Sequence, residues 1–389
     1  MKQRPWLFLL ISFFLWFPHF LYVPILSTYL IFLDASYRVV GLILGGYGLM
    51  QFFFRIPIGV LSDYFSLRKS FIVLAMLLNL CSCLLYTVSI DPIVIGIARL
   101  LAGISASFWG IFTITYANCF DYKQLSKAMG QLSFVLVCAQ FSGMILGGIV
   151  VNQFGWNVLF LIGLIISVIG LIITSFISIK STYTTRKVTK KVFSSILKNR
   201  YLWYISLLSI LAHAIIFSTI FGYTSDIALQ KGMVKSMLWL IVTAFMLPHA
   251  CIALCYDRFF VQKMGVEKTL FLSFNSVVCM MVLMPIVQQL WLFMLIQMIL
   301  GAALGIIFPL LLSESISNIE ESFRGMAIGV YQSIYAIGIT LGPIIVGNTI
   351  DFFDSQAGMI VTAIFGIIAS CFIGMKIIKS RRGDVVENE

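Results

Sequence analysis

The chain is a succession of apolar runs about twenty residues long, separated by short polar connections, and this rhythm constrains the fold more than any other feature. Wound as a helix, such a run matches the thickness of the hydrocarbon layer, and inside that layer each backbone polar group must be bonded within its own segment. Hydrophobic residues fill 60% of the 389 positions and charged ones only 11%, against about 45–50% apolar in a soluble domain. The sequence therefore predicts an all-α membrane protein with twelve spanning helices. They are placed at 6–33, 39–62, 70–89, 92–117, from 128 onward, 156–179, 201–224, 237–256, 269–287, 290–312, 325–349 and 358–377.

The first run starts basic and apolar like a secretory signal, but it continues to Leu33 without a small-residue cleavage site and reads as an uncleaved helix. Pro18 and Pro24 remove backbone donors within it and should kink it. Of 26 lysines and arginines, 21 fall on the side of this layout that carries both termini, three on the opposite side, and two inside spans. Basic loops stay in the cytoplasm, so both termini are expected there, in a multi-pass protein of the plasma (inner) membrane. The same asymmetry explains the net charge of +11 as topology rather than as a face for nucleic acid. The eight cysteines lie mostly in apolar runs, without zinc or disulfide spacing, and read as packing residues. No metal or cofactor is expected.

The chain also repeats itself. A charged elbow from Gly59 to Ser70 is echoed 194 positions later by Ala253-Leu254-Cys255-Tyr256-Asp257-Arg258-Phe259, with Asp63 falling on Asp257. Arg99 to Gly103 aligns with Gln297 to Gly301 at an offset of 198, and Gly130 and Gly143 align with Gly329 and Gly342 at 199. Offsets that drift so little indicate two copies of one six-helix unit. The expected bundles are 1–180 and 201–389, the second ending in a short cytoplasmic tail, joined by a basic linker at 181–200, with a passage between them.

The elbow, with Gly59, Asp63 and then Arg68-Lys69 after a tight turn, resembles the cytoplasmic loop between helices two and three of major facilitator transporters. Ser66 and Leu67 stand where that family's pattern has a glycine and an arginine. Arg99 with Gly103 resembles the family's helix-four motif, and Gly143 to Gly148 resembles its antiporter motif with Met144 in place of proline. Arg324-Gly325, Gly329, Gly342-Pro343 and Gly347 are similar to its drug and metabolite exporters. The resemblance covers the whole chain and implies the major facilitator fold, with two six-helix repeats.

Ionisable groups inside spans single out candidate residues, because a charge at mid-membrane costs about 2.5–3.5 kcal/mol on insertion scales. His19 and His213 coincide at the 194 offset, near the middle of helices one and seven, and are expected to face each other as a site for a proton or an anion. The alternative is two neutral imidazoles bonded to backbone or water. Arg99, Gln140 and Gln297 complete the expected substrate and proton site. Asp34 and Asp226, at an offset of 192, are an outer gate or ordinary interfacial charges. Arg55 is expected to snorkel to the cytoplasmic surface. Asp63 is expected to meet the amino end of helix eleven beside Arg324 and latch the halves on the inside, with Gly59, Arg68 and Lys69 completing that gating motif. Gly103, Gly143, Gly147, Gly342 and Pro343 are expected where helices pack closely.

Every Asp and Glu falls in a loop, a tail or a helix end, which leaves no counter-charge for a cationic cargo. The sequence thus predicts a monomeric secondary transporter that moves a small neutral or anionic molecule by alternating access, coupled to protons and acting in export. An uptake symporter or facilitator in the same fold is the alternative. Phosphate-binding loops, buried acid pairs and nucleophile motifs are missing from the sequence, so an enzyme is not expected.

Overall fold

The structure, a computed structural model, describes residues 5–65, 67–120, 124–177, 190–320 and 323–386. Twelve helices there are long and apolar enough to cross a bilayer. They are α1 (Pro5–Phe32), α2 (Tyr37–Ser62), α3 (Arg68–Val88), α4 (Pro92–Ala117), α5 (Ala128–Phe154) and α6 (Trp156–Ser175), then α7 (Arg200–Gln230), α8 (Lys235–Ala253), α9 (Val266–Ile286), α10 (Leu290–Ser317), α11 (Arg324–Phe352) and α12 (Ser355–Ile378). The elbow is tighter than the sequence suggests, since one helix runs on to Phe65 and the next starts at Arg68. Positions 181–189 of the linker lie outside the described residues, and a short helix, Lys190–Leu197, follows them.

Proline acts unevenly in α1. Pro18 stays within the helix Pro5–Tyr22, whereas Pro24 stands in a 3-10 turn, Val23–Ile25, that separates it from Leu26–Phe32. α7 is interrupted at the matching depth by a π-helical turn, Thr219–Tyr223, where Thr219 leaves helical geometry at φ −100° and ψ −103°. The repeat therefore extends to the breaks in its first helix, although different local chemistry produces each one.

Packing follows the repeat throughout. α1 lies on α5 and α6 as α7 lies on α11 and α12; α2 lies on α4 as α8 lies on α10; α3 lies on α4 and α6 as α9 lies on α10 and α12. One equivalence reaches single atoms. A Cβ at Gly103 would overlap the carbonyl oxygen of Tyr47, and a Cβ at Gly301 would overlap that of Phe245, so in both halves a glycine lets two backbones touch at the same 198-residue offset. Large apolar side chains such as Phe53, Phe134, Ile172, Leu272 and Ile360 stay exposed, which is the exterior that a lipid solvent asks for.

The halves meet along α2 against α11 and α5 against α8, and also where the outer part of α1 packs on that of α7. Gly41, Gly45 and Gly48 face Pro343, Thr340 and Ala336 across the first, and Gly148 faces the backbone of Trp239 across the second. Apart from Ala336, near the middle of α11, these contacts belong to the half of each helix that starts or ends opposite the termini, so that face is closed by close helix approach.

Candidate functional site

Arg99 is positioned by the start of α4. Asp91 caps that helix by accepting from the Ile93 amide at 2.9 Å, Pro92 supplies a preset first residue, and Arg99 follows two turns in. Because Gly103 lets α4 touch α2, the guanidinium comes to rest 4.2 Å from the centroid of the Tyr47 ring and 6.0 Å from that of Tyr22. It is 1% exposed, and Nε and Nη1 have no hydrogen-bond partner. His19 lies alongside, its ring 6.1 Å from Tyr47 and 5.6 Å from Trp16, with both nitrogens likewise unbonded. Trp16 meets Trp109 edge-on at 5.3 Å, which brings α1 and α4 to the same cluster.

A second cluster bridges the halves. Arg55 on α2 donates from Nη1 to the carbonyl of Gln332 at 3.3 Å and to the hydroxyl of Tyr335 at 3.2 Å, both on α11, and from Nη2 to Oε1 of Gln51 at 2.5 Å. Tyr335 stacks on His213 at 3.8 Å with a 6° interplanar angle, and Phe308 closes the imidazole edge-on at 4.8 Å. Nδ1 of His213 lies 2.8 Å from the Ser209 carbonyl, while the Ser209 hydroxyl pairs with Tyr331 at 2.8 Å. Between the clusters, Tyr47 stacks on Phe217 of α7 at 6.2 Å.

A third group ties the halves at the face opposite the termini. Asp226 is buried and accepts from Tyr37 of α2 and from Gln230 at 2.9 Å; Gln230 also bonds Tyr37 at 2.7 Å and accepts from Ser355 at 2.8 Å. Ser27 of α1 donates to the carbonyl of Gly222 at 2.6 Å, inside the π-helical turn. Beyond α7, Lys231 spans to the carbonyls of Pro285 and Val287, and partial burial lowers its pKa.

These placements change several expectations. His19 and His213 share no ring neighbour: those of the first are Trp16 and Tyr47, those of the second Phe308 and Tyr335. Arg55 does not snorkel; it is 7% exposed and turned across the seam, because Tyr335 and Gln332 offer acceptors at its own depth. Asp34 and Asp226 are not an equivalent pair, since Asp34 is exposed in a turn at φ +58° while Asp226 is enclosed. A carboxylate near a helix end can therefore still be buried.

The remaining candidates take plainer positions. Gln140 is half-buried on α5, and Gln297 is fully buried on α10 with both amide atoms unbonded. Gly143 and Gly147 abut the α1 backbone, Gly342 abuts Ala214 of α7, and the Pro343 carbonyl accepts from Tyr223 at 2.9 Å. Gly59 meets nothing within 4 Å, Arg68 opens the helix of α3, Lys69 reaches the Ser175 carbonyl at 3.0 Å, and Arg324 reaches that of Ile319 at 3.4 Å. The Asp63 side chain, and the latch expected of it, lie outside the described side chains. Tyr37, Tyr47, Gln51 and Tyr335 were not singled out by sequence; the one available signal was a polar or aromatic side chain recurring every turn or two along α2.

Comparison with known proteins places this geometry. A family model described as the Major Facilitator Superfamily matches residues 8–240 and 224–388. The inner membrane transport protein YajR of Escherichia coli (strain K12) is 24% identical over 383 residues, covering 95% of this chain and 83% of that protein. The multidrug resistance protein MdtG of Proteus mirabilis (strain HI4320) is 23% identical over 257 residues, 64% of this chain and 63% of that protein. The crystal structure of the nucleoside transporter NupG superposes with a TM-score of 0.77 at 15% identity, covering 95% of this chain and 98% of that one.

Proposed function

The chain belongs to the Major Facilitator Superfamily, and from that premise we propose that it is a proton-coupled exporter of a small neutral or anionic molecule, working by alternating access between residues 1–180 and 201–389. The observation that supports this reading is the seam itself. Small residues let the backbones of the halves touch, a few hydrogen bonds from Ser27, Tyr37 and Arg55 cross between them, and rings such as Tyr47 and Phe217 pack across. Hydrogen bonds between helices in lipid contribute about 0.6–2 kcal/mol each, so such a seam opens at a cost that cargo and coupling ion can supply.

In this reading Arg99, His19, His213, Gln140 and Gln297 handle substrate and protons, and Asp226 with Tyr37 forms the outer gate. Gly59, Asp63, Arg68, Lys69 and Arg324 form the cytoplasmic gating motif, which puts both termini and the linker in the cytoplasm of a plasma-membrane monomer. The similarity to a multidrug resistance protein supports export. Everted vesicles under an imposed pH gradient test the direction: accumulation with alkalinisation of an acid lumen is expected. Loss of cargo from preloaded vesicles together with protons leaving the lumen would instead identify an uptake symporter, and flux indifferent to the gradient a facilitator.

A further inference from the structure

We propose that the cargo is an elongated organic dianion whose two anionic ends are taken by Arg99 and Arg55. The proposal rests on the transport reading above and adds the charge and shape of what is carried. Both guanidiniums are buried beside the seam, and among the described residues neither meets a carboxylate. Arg55 gives its donors to three neutral oxygens and keeps Nε unbonded. Arg99 has only the faces of Tyr47 and Tyr22, with Nε and Nη1 unbonded. An aromatic face returns about 0.5–2 kcal/mol to a cation, whereas taking an ion out of water costs several. A bridging water can satisfy a donor, but it brings no charge, and two cations in one low-dielectric seam repel each other. Anionic groups offset all three costs together.

The spacing comes from α2. Arg99 lies over Tyr47, and Arg55 is eight residues further along the same helix, about 12 Å at 1.5 Å per residue. Between them stand the Gln51 amide and the stacked rings of Tyr47 and Phe217. Two separated acceptors on a flat or apolar body are the shape and charge that fit this column. Asp226, the carboxylate buried at the seam, is held at the far end by Tyr37 and Gln230.

The test uses the purified full chain in nanodiscs and three probes of one shape: biphenyl with carboxylates at both para ends, with one carboxylate, and with one neutral hydroxymethyl group. The dicarboxylate is expected to bind about ten-fold more tightly than the monocarboxylate, and that in turn more tightly than the neutral probe. Arg99→Gln and Arg55→Gln are each expected to bring the dicarboxylate down to the affinity of the monocarboxylate. A flat response across the probes, a neutral probe that binds as well as the dicarboxylate, or variants that keep the full preference would overturn the proposal. The charge series on the unaltered protein decides the matter even where a variant fails to fold. In proteoliposomes, a dicarboxylate that binds but is never carried would sink the transport reading alone. A neutral probe carried while the dicarboxylate does not bind would sink this proposal alone.

Discussion

The two halves answer the same backbone arrangement with different side chains. In the first, Gly103 lets α4 meet the Tyr47 carbonyl and Arg99 sits one turn away over a tyrosine face; in the second, Gly301 lets α10 meet the Phe245 carbonyl and the residue one turn away is Gln297. Arg99 is charged and Gln297 neutral, yet both are fully buried and both have unbonded polar atoms. The frame is symmetric and the chemistry is not. The repeat therefore preserves how the helices approach, while the matching position carries a cation in one half and a neutral amide in the other.

Five substitutions break or sharpen that comparison. Gly103→Leu and Gly301→Leu should be the most damaging and should damage the halves alike. Each forces apart two touching backbones, at more than the 1–3 kcal/mol of ordinary overpacking, so thermal denaturation should show little folded protein for either; a tolerant half would break the symmetry of the frame. Arg99→Gln makes the two positions chemically alike. Transport in proteoliposomes should fall about ten-fold or more, with the melting temperature held or raised because an uncompensated charge has gone. Tyr37→Phe removes a bond between the halves and leaves Asp226 with Gln230 alone. Spin-label distances across the outer face should show a shift of about 1 kcal/mol toward separation; an unchanged distribution would place the closure in the glycine contacts instead. Gln297→Met should have the smallest effect, from neutral to about 1 kcal/mol stabilising by melting temperature, since it deletes an amide with no partner. A loss there would mean that the amide has a partner after all.

The spans, their number and the repeat were legible because they depend on run length and on order along the chain. Arg99 was legible for the same reason: a cation seven residues into an apolar run has few explanations. What the repeat could not convey was direction. Asp34 and Asp226 occupy corresponding places in the chain, but a left-handed turn points one outward while α2 supplies Tyr37 to the other. Depth alone made Arg55 a candidate for snorkelling, and its actual heading is set by Tyr335, 280 residues away. Tyr37 precedes the expected second span at 39–62, and only the structure carries that helix back to it. Side-chain heading in a bundle is decided by neighbours from the other half, which no local pattern reports.

The wide turn at Thr219–Tyr223 sets the phase of everything after it. A π-helical turn holds one residue more than an α-helical one, which retards the remainder of the helix by about 100°. An unbroken α7 would aim Asp226 roughly a quarter of a circle away from Tyr37, and the last stretch of that helix would present its neighbour with a different set of side chains. The closure on that face is thus keyed by a single surplus residue buried two turns below it.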